Sequence, residues 1–334
     1  MKSTIVEVAK AANVSVATVS RVINGNYPVK EETKEKVLKI IEELNYTPNT
    51  QARDLIKQQS STIGVVVPSI SNMFFPSVIN GIENYFGNTE FSIFLCTTDN
   101  DKDKEKSRVS ELMSRNVAGI IVIDPTLENS KSNFFNTVAK STPTVFINGY
   151  TNSPNISSVS NDEEIGARIA MEHLIENGHK NILFIRGEKS YSYDVKENVY
   201  REMMSEINNL NESYIFNIGK GNSTQTVNQT MEEGIEILNQ YKEITAVFAC
   251  NDLMGIGIMN ACKKINKKIP SELSIVGYDN IELCEMVEPK LTTIDQNMVL
   301  LGENAAILLN EKIGNGNKYS KKILLNNSLV KRDT

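Results

Sequence analysis

Residues 4–24 read TIVEVAKAANVSVATVSRVIN, and this pattern predicts two short helices joined by a tight turn. The apolar positions of the first helix recur at helical spacing. They are Ile5, Val8, Ala9 and Ala12. Thr4 is placed to cap this helix, and Glu7 completes a capping box with it. Asn13 falls at the turn, where an asparagine tolerates a left-handed backbone, and Ser15 is placed to cap the second helix.

The second helix divides into an apolar stripe and an outward face. The stripe, which we expect to pack on the first helix, consists of Val19, Val22 and Ile23. The opposite face keeps Val16, Ala17, Ser20, Arg21 and Asn24. Small side chains allow close approach to a DNA major groove, where arginine can donate two hydrogen bonds to guanine. Any small helical hairpin on a protein surface would fit the same turn spacing, so the pattern leaves both interpretations open.

The composition is that of a globular protein with two or three domains. The 334 residues are 40% hydrophobic and carry a formal charge of −6, which does not itself indicate nucleic-acid binding. Residues 1–61 hold nine Lys and Arg against seven Asp and Glu, whereas the remainder holds 26 against 34. A mildly basic head on an acidic body fits a small DNA-binding domain joined to a domain with another task.

The spacing of cysteines and histidines matches no metal-ligand pattern, so we expect no metal and no cofactor. The residues concerned are Cys96, Cys250, Cys262, Cys284, His173 and His179. No export signal and no apolar run long enough to span a membrane occurs. We therefore expect a soluble, cytoplasmic protein with structural thiols and no membrane partner.

A third helix is predicted from Glu31 to Leu44, after a poor cap at Lys30. Its buried side is expected to hold Val37, Leu38, Ile41 and Leu44. A fourth helix of about eight residues is predicted after Pro48, capped by Asn49, and a helix this short is marginal in water. Its apolar residues are Ala52, Leu55 and Ile56. Folding on DNA, with Leu55 as a wedge in the minor groove, and a frayed linker helix are the two interpretations.

From Ile63 the pattern changes to strands that alternate with helices, in two series separated near Asn161. The strands of the first series are predicted at 63–67, 91–95, 119–123 and 144–147. Those of the second series are predicted at 182–185, 215–218, 246–250 and 273–276. This alternation predicts two α/β lobes with parallel sheets. Ligands of such sheets bind outside the carboxyl ends of the strands, so we expect a site in the cleft between the lobes.

Together these patterns resemble the lactose/galactose repressor family of bacterial transcription regulators over essentially the whole chain. In the head the resemblance rests on VAKAANVSVATVSRVIN (8–24) and LNYTPNTQARDL (44–55). In the body it rests on IGVVVPSISNMFF (63–75), AGIIV (118–122), NDEEIGA (161–167), ACND (249–252), SIVGYDN (274–280), LTTIDQ (291–296) and SLVKR (328–332). The resemblance implies a three-helix helix-turn-helix head with a hinge helix, followed by a two-lobed core like that of periplasmic sugar-binding proteins.

The implied boundaries divide the chain into a head, a hinge and a core. The head is 1–47, the hinge helix and linker are 48–61, and the effector-binding and dimerisation core is 62–334. Within the core, the first lobe is about 62–160 with 294–321, and the second lobe is about 162–291 with 322–334.

The family further implies a repressor that binds a palindromic operator as a homodimer, or as a tetramer built from dimers. Val16 and Ala17 match the main specificity positions of the family. Further implied base or phosphate contacts are Ser15, Ser20, Arg21 and Asn24. Thr4, Asn49 and Ala52 match positions that contact the DNA backbone or minor groove. Leu55 matches the intercalating leucine.

The same resemblance implies a small-molecule effector between the lobes. Phe74 and Phe75, which follow Asn72, match an aromatic pair that packs on a sugar or purine ring. The implied polar ligands of the effector are Asn251, Asp279 and Gln296. We expect a sugar or a sugar derivative. A sugar phosphate, a nucleobase and a protein corepressor are alternatives that the sequence leaves open.

One segment departs from the family pattern. Lys196 and Val199-Tyr200 stand where an arginine and a glycine–aromatic pair are expected. Lysine lacks the two-pronged donor geometry of arginine, so this substitution leaves room for a different ligand. Arg186, which follows a predicted strand directly, is a candidate to replace the missing arginine.

The sequence opposes two other functional classes. A sugar-binding receptor without DNA function is opposed by the N-terminal head and by the missing export signal. An enzyme is opposed because Gly255-Ile-Gly257 lacks the third glycine of a dinucleotide motif and residues 219–223 do not form a P-loop. No Ser/His/Asp or Cys/His set is arranged for catalysis. We therefore expect a regulator and not an enzyme.

Overall fold

Contacts between residues divide the chain into two units, Met1–Ser60 and Ser61–Thr334. The computed structural model describes residues 3–25, 28–47, 60–149, 151, 153–188, 190–316 and 320–334. Within these residues no helix is both long enough and apolar enough to cross a membrane.

The first unit contains three helices around a small apolar core. They are α1 (Ile5–Ala12), α2 (Val16–Asn24) and α3 (Glu31–Glu43). The fully buried members of the core are Val8, Ala9, Ala12, Val19 and Val37. Both faces predicted for α1 and α2 therefore meet as expected, with Ile5, Val22 and Ile23 partly buried around them.

The local signals of the head also form as predicted. Thr4 and Glu7 make both hydrogen bonds of a capping box, and Asn13 ends α1 with φ of 53°. Lys30 makes no side-chain cap at the start of α3. The prediction that Leu38 is buried is wrong, because its side chain is 47% exposed and does not join the core. Ile40, two residues further along α3, packs against the core instead.

The second unit begins with alternating strands and helices. They are β1 (Thr62–Val67), α4 (Phe74–Phe86), β2 (Ser92–Thr97), α5 (Lys102–Ser114), β3 (Gly119–Ile123), α6 (Leu127–Lys131), α7 (Phe134–Ser141), β4 (Thr144–Ile147) and β5 (Ser157–Asn161). The next series is α8 (Glu163–Glu176), β6 (Ile182–Arg186), α9 (Tyr191–Glu206), β7 (Ile215–Asn217), α10 (Gln225–Gln240), β8 (Ala246–Ala249), α11 (Asp252–Ile265), β9 (Ser274–Asp279) and α12 (Leu283–Met286). The chain ends with β10 (Thr292–Asp295), α13 (Met298–Gly314), β11 (Lys322–Leu325) and β12 (Ser328–Val330).

These strands form two six-stranded sheets, one in each lobe. The orders are β11-β5-β4-β3-β1-β2 and β12-β10-β9-β8-β6-β7. Every pairing is parallel except that of β10 with β12. The predicted two-lobed α/β core with parallel sheets is confirmed. Most strands are buried because helices cover both faces of each sheet.

The lobe boundaries near the C-terminus differ from the sequence-based assignment. Strand β11, at 322–325, belongs to the sheet of the first lobe, although 322–334 was assigned to the second. Strand β10 belongs to the second lobe through residue 295, so the first-lobe segment cannot start at 294. The chain thus crosses between lobes near 162, 296 and 326. Hydrogen bonding between strands decides these crossings, and apolar periodicity does not report it.

Glycines allow helices α4 and α13 to pack closely in the first lobe. A Cβ atom on Gly81 would lie 2.0 Å from the carbonyl oxygen of Val299, and one on Gly302 would lie 2.0 Å from that of Val78. Neither glycine has a positive φ. Their role is therefore the close approach of two backbones, which any side chain at these positions would prevent.

Candidate nucleic-acid interface and ligand cavity

The outward face of α2 is exposed as the sequence predicts. Val16, Ala17, Arg21 and Asn24 are exposed, and Ser20 is half-buried. The side chain of Val16, an apolar residue, is 41% exposed on the surface of the head. The hydrogen bond from Asn24 Nδ2 to Ser20 Oγ, 3.1 Å, orders the C-terminal part of this face. A short helix with small, exposed residues near its N-terminus has the shape that enters a major groove.

Caps hold this face in place. Ser15 Oγ accepts a hydrogen bond from the Thr18 backbone N–H at 3.1 Å, which caps the N-terminus of α2. Gly25 ends the helix with φ of 65°. Thr4 is occupied by its own capping box at the start of α1. Ser15 and Thr4 thus have structural roles, and their predicted DNA contacts stay predictions.

The predicted hinge contacts cannot be placed. Asn49, Ala52 and Leu55 lie outside the described residues. Their expected roles at the minor groove rest on the sequence alone.

A cavity lies between the two lobes of the core and is called here the inner cavity. Its empty space, including the part that is open to solvent, is about 390 Å³. Its lining is formed by Asn72, Phe74, Phe75, Asp124, Asn148, Glu163, Ser190, Ser192, Tyr193, Lys196, Asn222, Cys250, Asn251, Asp279 and Gln296. A wider outer cavity of about 1330 Å³ adjoins it and shares Asp124, Ser190, Tyr193 and Asn222. The two cavities together form one cleft, and clefts of this kind are where small molecules typically bind.

Five residues of this lining lie at the ends of strands. Asp124 directly follows β3, Asn148 follows β4, and Cys250 follows β8. Asp279 is the last residue of β9, and Gln296 follows β10. The carboxyl ends of both sheets therefore face one cavity, as parallel α/β sheets require. Seven of the eight predicted effector residues meet here, and Arg186 is the exception.

The aromatic pair lies at the start of α4. Phe74 and Phe75 are 5% and 2% exposed, and their rings meet edge to face with centroids 5.3 Å apart. Asn72 Oδ1 accepts from the Phe74 backbone N–H at 3.0 Å, which orients this helix start. Asn72 Nδ2 donates to Asn222 Oδ1 across the lobes at 3.3 Å. Aromatic walls beside amide groups suit a ligand with one apolar and one polar face.

Lys196 is almost completely buried at the base of the inner cavity. Its Nζ lies 3.2 Å from Glu163 Oε2 and 3.5 Å from the centroid of the Tyr278 ring. The same Nζ donates to Ser192 Oγ at 2.9 Å and to the Cys250 carbonyl oxygen at 3.2 Å. The ammonium group therefore makes two hydrogen bonds and one ion pair within the protein. It does not reproduce the free donor pair that an arginine would present to a ligand.

A relay of amides and one carboxylate connects the two lobes. Asn161 Nδ2, at the end of β5, donates to Gln296 Oε1 at 2.8 Å. Gln296 Nε2 in turn donates to Asp279 Oδ1 at 2.6 Å. Burial, and the negative charge of nearby Asp252, raise the pKa of Asp279 well above its usual range. A ligand that contacts Asp279 would therefore act on the hydrogen bond to Gln296, which lies at a crossing between the lobes.

Like Asp279, Asp124 borders the inner cavity, and its carboxylate accepts no hydrogen bond from the described residues. Burial, and the charge of Glu163, raise its pKa to about 6, although Lys196 opposes this shift. Its backbone has φ of 49°, which an aspartate tolerates at the sharp turn after β3.

Asn251 has a structural role in addition to its place in the lining. Its Oδ1 caps α11 by accepting from the Met254 backbone N–H at 2.9 Å. Its Nδ2 donates to the Gly221 carbonyl oxygen at 2.8 Å and to Tyr193 Oη at 3.2 Å. Both amide N–H groups are therefore used, and a ligand contact to Asn251 would require it to give up one of these bonds.

Arg186, the candidate to replace the missing arginine, does not line the inner cavity. Its guanidinium is held by two carboxylates of α9, at 2.6 Å by Asp194 and also by Glu197. Its Nε donates to the Gly187 carbonyl oxygen at 3.0 Å. Arg186 therefore ties β6 to the helix that carries Lys196 and lies outside the described lining of the inner cavity.

Several lining residues were missed by the sequence reasoning. They are Asp124, Asn148, Glu163, Ser190, Ser192, Tyr193, Asn222 and Cys250. A usable signal was present, because Asp124 and Asn148 are each the first polar residue after a predicted strand. Tyr193 and Asn222 gave no such signal, since they reach the cavity only through the packing of α9 and of the loop after β7.

Comparison with known families separates the same two parts of the chain. Residues 4–49 match the family described as bacterial regulatory proteins, lacI family. Residues 171–334 match the periplasmic binding protein-like domain.

Individual relatives match nearly the full length. Catabolite control protein A of Priestia megaterium is 34% identical over 99% of this chain and 96% of its own length. The ribose operon repressor of Halalkalibacterium halodurans is 36% identical over 93% of this chain and 90% of its own length. A solved structure of the Lac repressor dimer, bound to operator and the anti-inducer ONPF, has a TM-score of 0.84 at 27% identity, covering 100% of this chain and 99% of that chain.

Proposed function

The chain belongs to the lacI family of bacterial regulatory proteins and is a DNA-binding transcription regulator; we propose that it represses transcription as a homodimer on a palindromic operator, under control of a small molecule in the inner cavity. Its relatives are repressors and not enzymes. Regulation of chromosomal genes would take place in the cytoplasm.

The observation that carries this proposal is the exposed face of α2. Val16 and Ala17 lie in the first turn of that helix, and Arg21 lies one turn beyond them. A recognition helix reads base edges with its N-terminal residues, and each good bidentate contact contributes about 1–3 kcal/mol of discrimination. A receptor with no DNA function would have no use for this unit, so that alternative is not favoured.

The effector proposal rests on the inner cavity. Phe74 and Phe75 offer aromatic surface, while Asp279 and Gln296 offer polar groups beside it. The related Lac repressor structure holds an anti-inducer together with operator, and another relative is a ribose operon repressor. A sugar or sugar derivative fits these groups. Because one protein would bind both ligands, effector and operator affinities are expected to be coupled reciprocally.

The test is operator binding by the full chain. A fluorescent palindromic duplex, selected from random sequence by the protein, is titrated alongside a scrambled duplex at several salt concentrations. We expect specific binding to fall steeply with salt. Arg21→Ala should weaken binding to the selected duplex at least about tenfold and to the scrambled duplex much less.

Lys36→Ala is the matched control, because Lys36 is an exposed cation of the same head on α3. It should weaken binding to both duplexes by the same small factor. No selection of any duplex by the wild-type chain, or equal losses for Arg21→Ala on both duplexes, would refute the proposal for α2.

A further inference from the structure

The charge on the inner cavity is unbalanced among the described residues. Three carboxylates line it, those of Asp124, Glu163 and Asp279, against the single ammonium group of Lys196. Glu163 Oε2 and Lys196 Nζ are 3.2 Å apart and form one ion pair. The carboxyl groups of Asp124 and Asp279 have no cation as an ion-pair partner in the described lining.

The ammonium of Lys196 is held inside the protein by two hydrogen bonds and one ion pair. Its three contacts, to Glu163, Ser192 and the Cys250 carbonyl oxygen, lie between 2.9 and 3.2 Å. A phosphate or carboxylate on a ligand would compete with Glu163 for this ammonium group. It would also lie in the same small cavity as the unpaired carboxylates, which would repel it.

The carboxyl groups of Asp124 and Asp279 receive few hydrogen bonds from the protein. Among the described residues, no hydrogen bond reaches the carboxylate of Asp124, and Asp279 accepts only from Gln296, through Oδ1. Asp279 is 5% exposed, so little water can solvate its second oxygen. Buried carboxylates without partners are costly, and a ligand that supplies charged donors would remove that cost.

Resting on the proposed function, we propose that the effector is a single-ring amino sugar or a small amino-polyol, whose protonated amine pairs with Asp124 and whose hydroxyl groups donate to Asp279. An ammonium group brings three donors to a cavity whose carboxyl oxygens have few donors from the protein. The adjoining outer cavity shares Asp124 with the inner cavity and supplies the further space that a ring requires. Phe74 and Phe75 can pack on its apolar face.

The test uses matched probes with the full-length protein. Glucose, galactose and mannose, their 2-amino-2-deoxy analogues and their 6-phosphates are titrated by calorimetry into the wild-type chain and two variants. Asp124→Asn removes the charge proposed to bind the amine. Asp99→Asn is the control, because it makes the same change at a residue that also has a left-handed backbone, with φ of 57°, and that lines only the outer cavity.

We expect at least one amine to bind the wild type tenfold or more tightly than its neutral partner, and no phosphate to bind. Asp124→Asn should abolish this preference, and Asp99→Asn should keep it within twofold. The wild-type comparison does not depend on whether Asp124→Asn folds. A neutral sugar or phosphate that binds as tightly as its amine, or an absence of binding by every amine, would overturn the inference.

Operator binding separates the two proposals. If a neutral sugar changes operator affinity and its amine does not, the amine inference fails while the proposed function stands. If the wild-type chain selects no operator, the proposed function itself fails. A probe that binds in the calorimeter and shifts operator affinity, with the amine preferred, supports both.

Discussion

Replacing Lys196 by methionine is the sharpest test of how the inner cavity is built. The change keeps an unbranched side chain, one atom shorter, and removes the ammonium. Glu163, which is 7% exposed, then keeps its carboxylate without the cation that lies 3.2 Å away in the wild type. The hydrogen bonds to Ser192 and to the Cys250 carbonyl oxygen disappear as well.

The expected cost follows from the burial of both partners. Their side chains are 2% and 7% exposed, so solvent screens the pair very little. Removing one partner of such a pair costs about 3–5 kcal/mol, because the other charge is left buried. Lys196→Met combined with Glu163→Gln removes both charges and should cost roughly 2 kcal/mol less than the sum of the single changes.

Denaturation by urea, followed by circular dichroism at the helix band, measures these free energies. The chain contains no tryptophan, so fluorescence would be a weak probe. A loss of about 4 kcal/mol should also lower the melting temperature of a unit of this size by about 10 °C. Lys104→Met is the control, because it makes the same substitution in an exposed pair with Asp99. Its midpoint should equal that of the wild type within error.

Two outcomes would refute this reasoning. An unchanged midpoint for Lys196→Met would mean that the ammonium contributes no net stability in the cavity. Strict additivity of the two single changes would mean that Lys196 and Glu163 do not act as a pair.

Three further predictions concern packing, pH and the head. Gly302→Ala should destabilise the core by about 1–3 kcal/mol, because its Cβ atom would meet the Val78 carbonyl oxygen, whereas Gly314→Ala in the same helix meets nothing within 4 Å and should be neutral or slightly stabilising in a urea titration. The pKa of Asp124, about 6, is above its ordinary value of 3.8, so its folded form binds a proton more readily and the free energy of unfolding should fall as pH rises from about 4 to 6. Asp124→Asn should remove about 1 kcal/mol of that fall, a reduced amount because the side chain is partly open to the cavity. If the free energy of unfolding of Asp124→Asn falls with pH as steeply as that of the wild type, Asp124 is not the group responsible. Ser15→Ala removes the cap of α2 and should lower the stability of the head by about 1 kcal/mol, measured by its own thermal transition, while Ser15→Asp should retain the cap.

Local signals in the sequence were sufficient for the head. A capping box, an asparagine at the turn and apolar spacing predicted α1 and α2, because each depends on residues within one helical turn of one another. Leu38 was misplaced for the complementary reason. Apolar residues occur on more than one side of α3, so the sequence alone does not show which side is buried. Packing against α1 and α2 places Ile40 at the core and leaves Leu38 exposed.

Apolar runs likewise predicted the strands whose apolar side chains are buried in the core. Strand β10 was not predicted, because Thr292 and Thr293 are polar. Their hydroxyl groups are satisfied only in the folded chain, by the Thr334 carbonyl oxygen at 3.2 Å and by Asp252 at 2.5 Å. Strands β5 and β11 were missed for a related reason, since residues 157–161 and 322–325 are held mainly by pairing with distant strands.

The sequence by itself determined the two-part architecture, the outward face of α2 and the aromatic and polar residues at strand ends. The tertiary structure alone decided that Arg186 is occupied by two carboxylates, that Lys196 is paired with Glu163, and that Asp124 is left without a partner. The physical reason is that charge balance in a buried site depends on distances between residues far apart in the chain. No spacing within the sequence reports those distances.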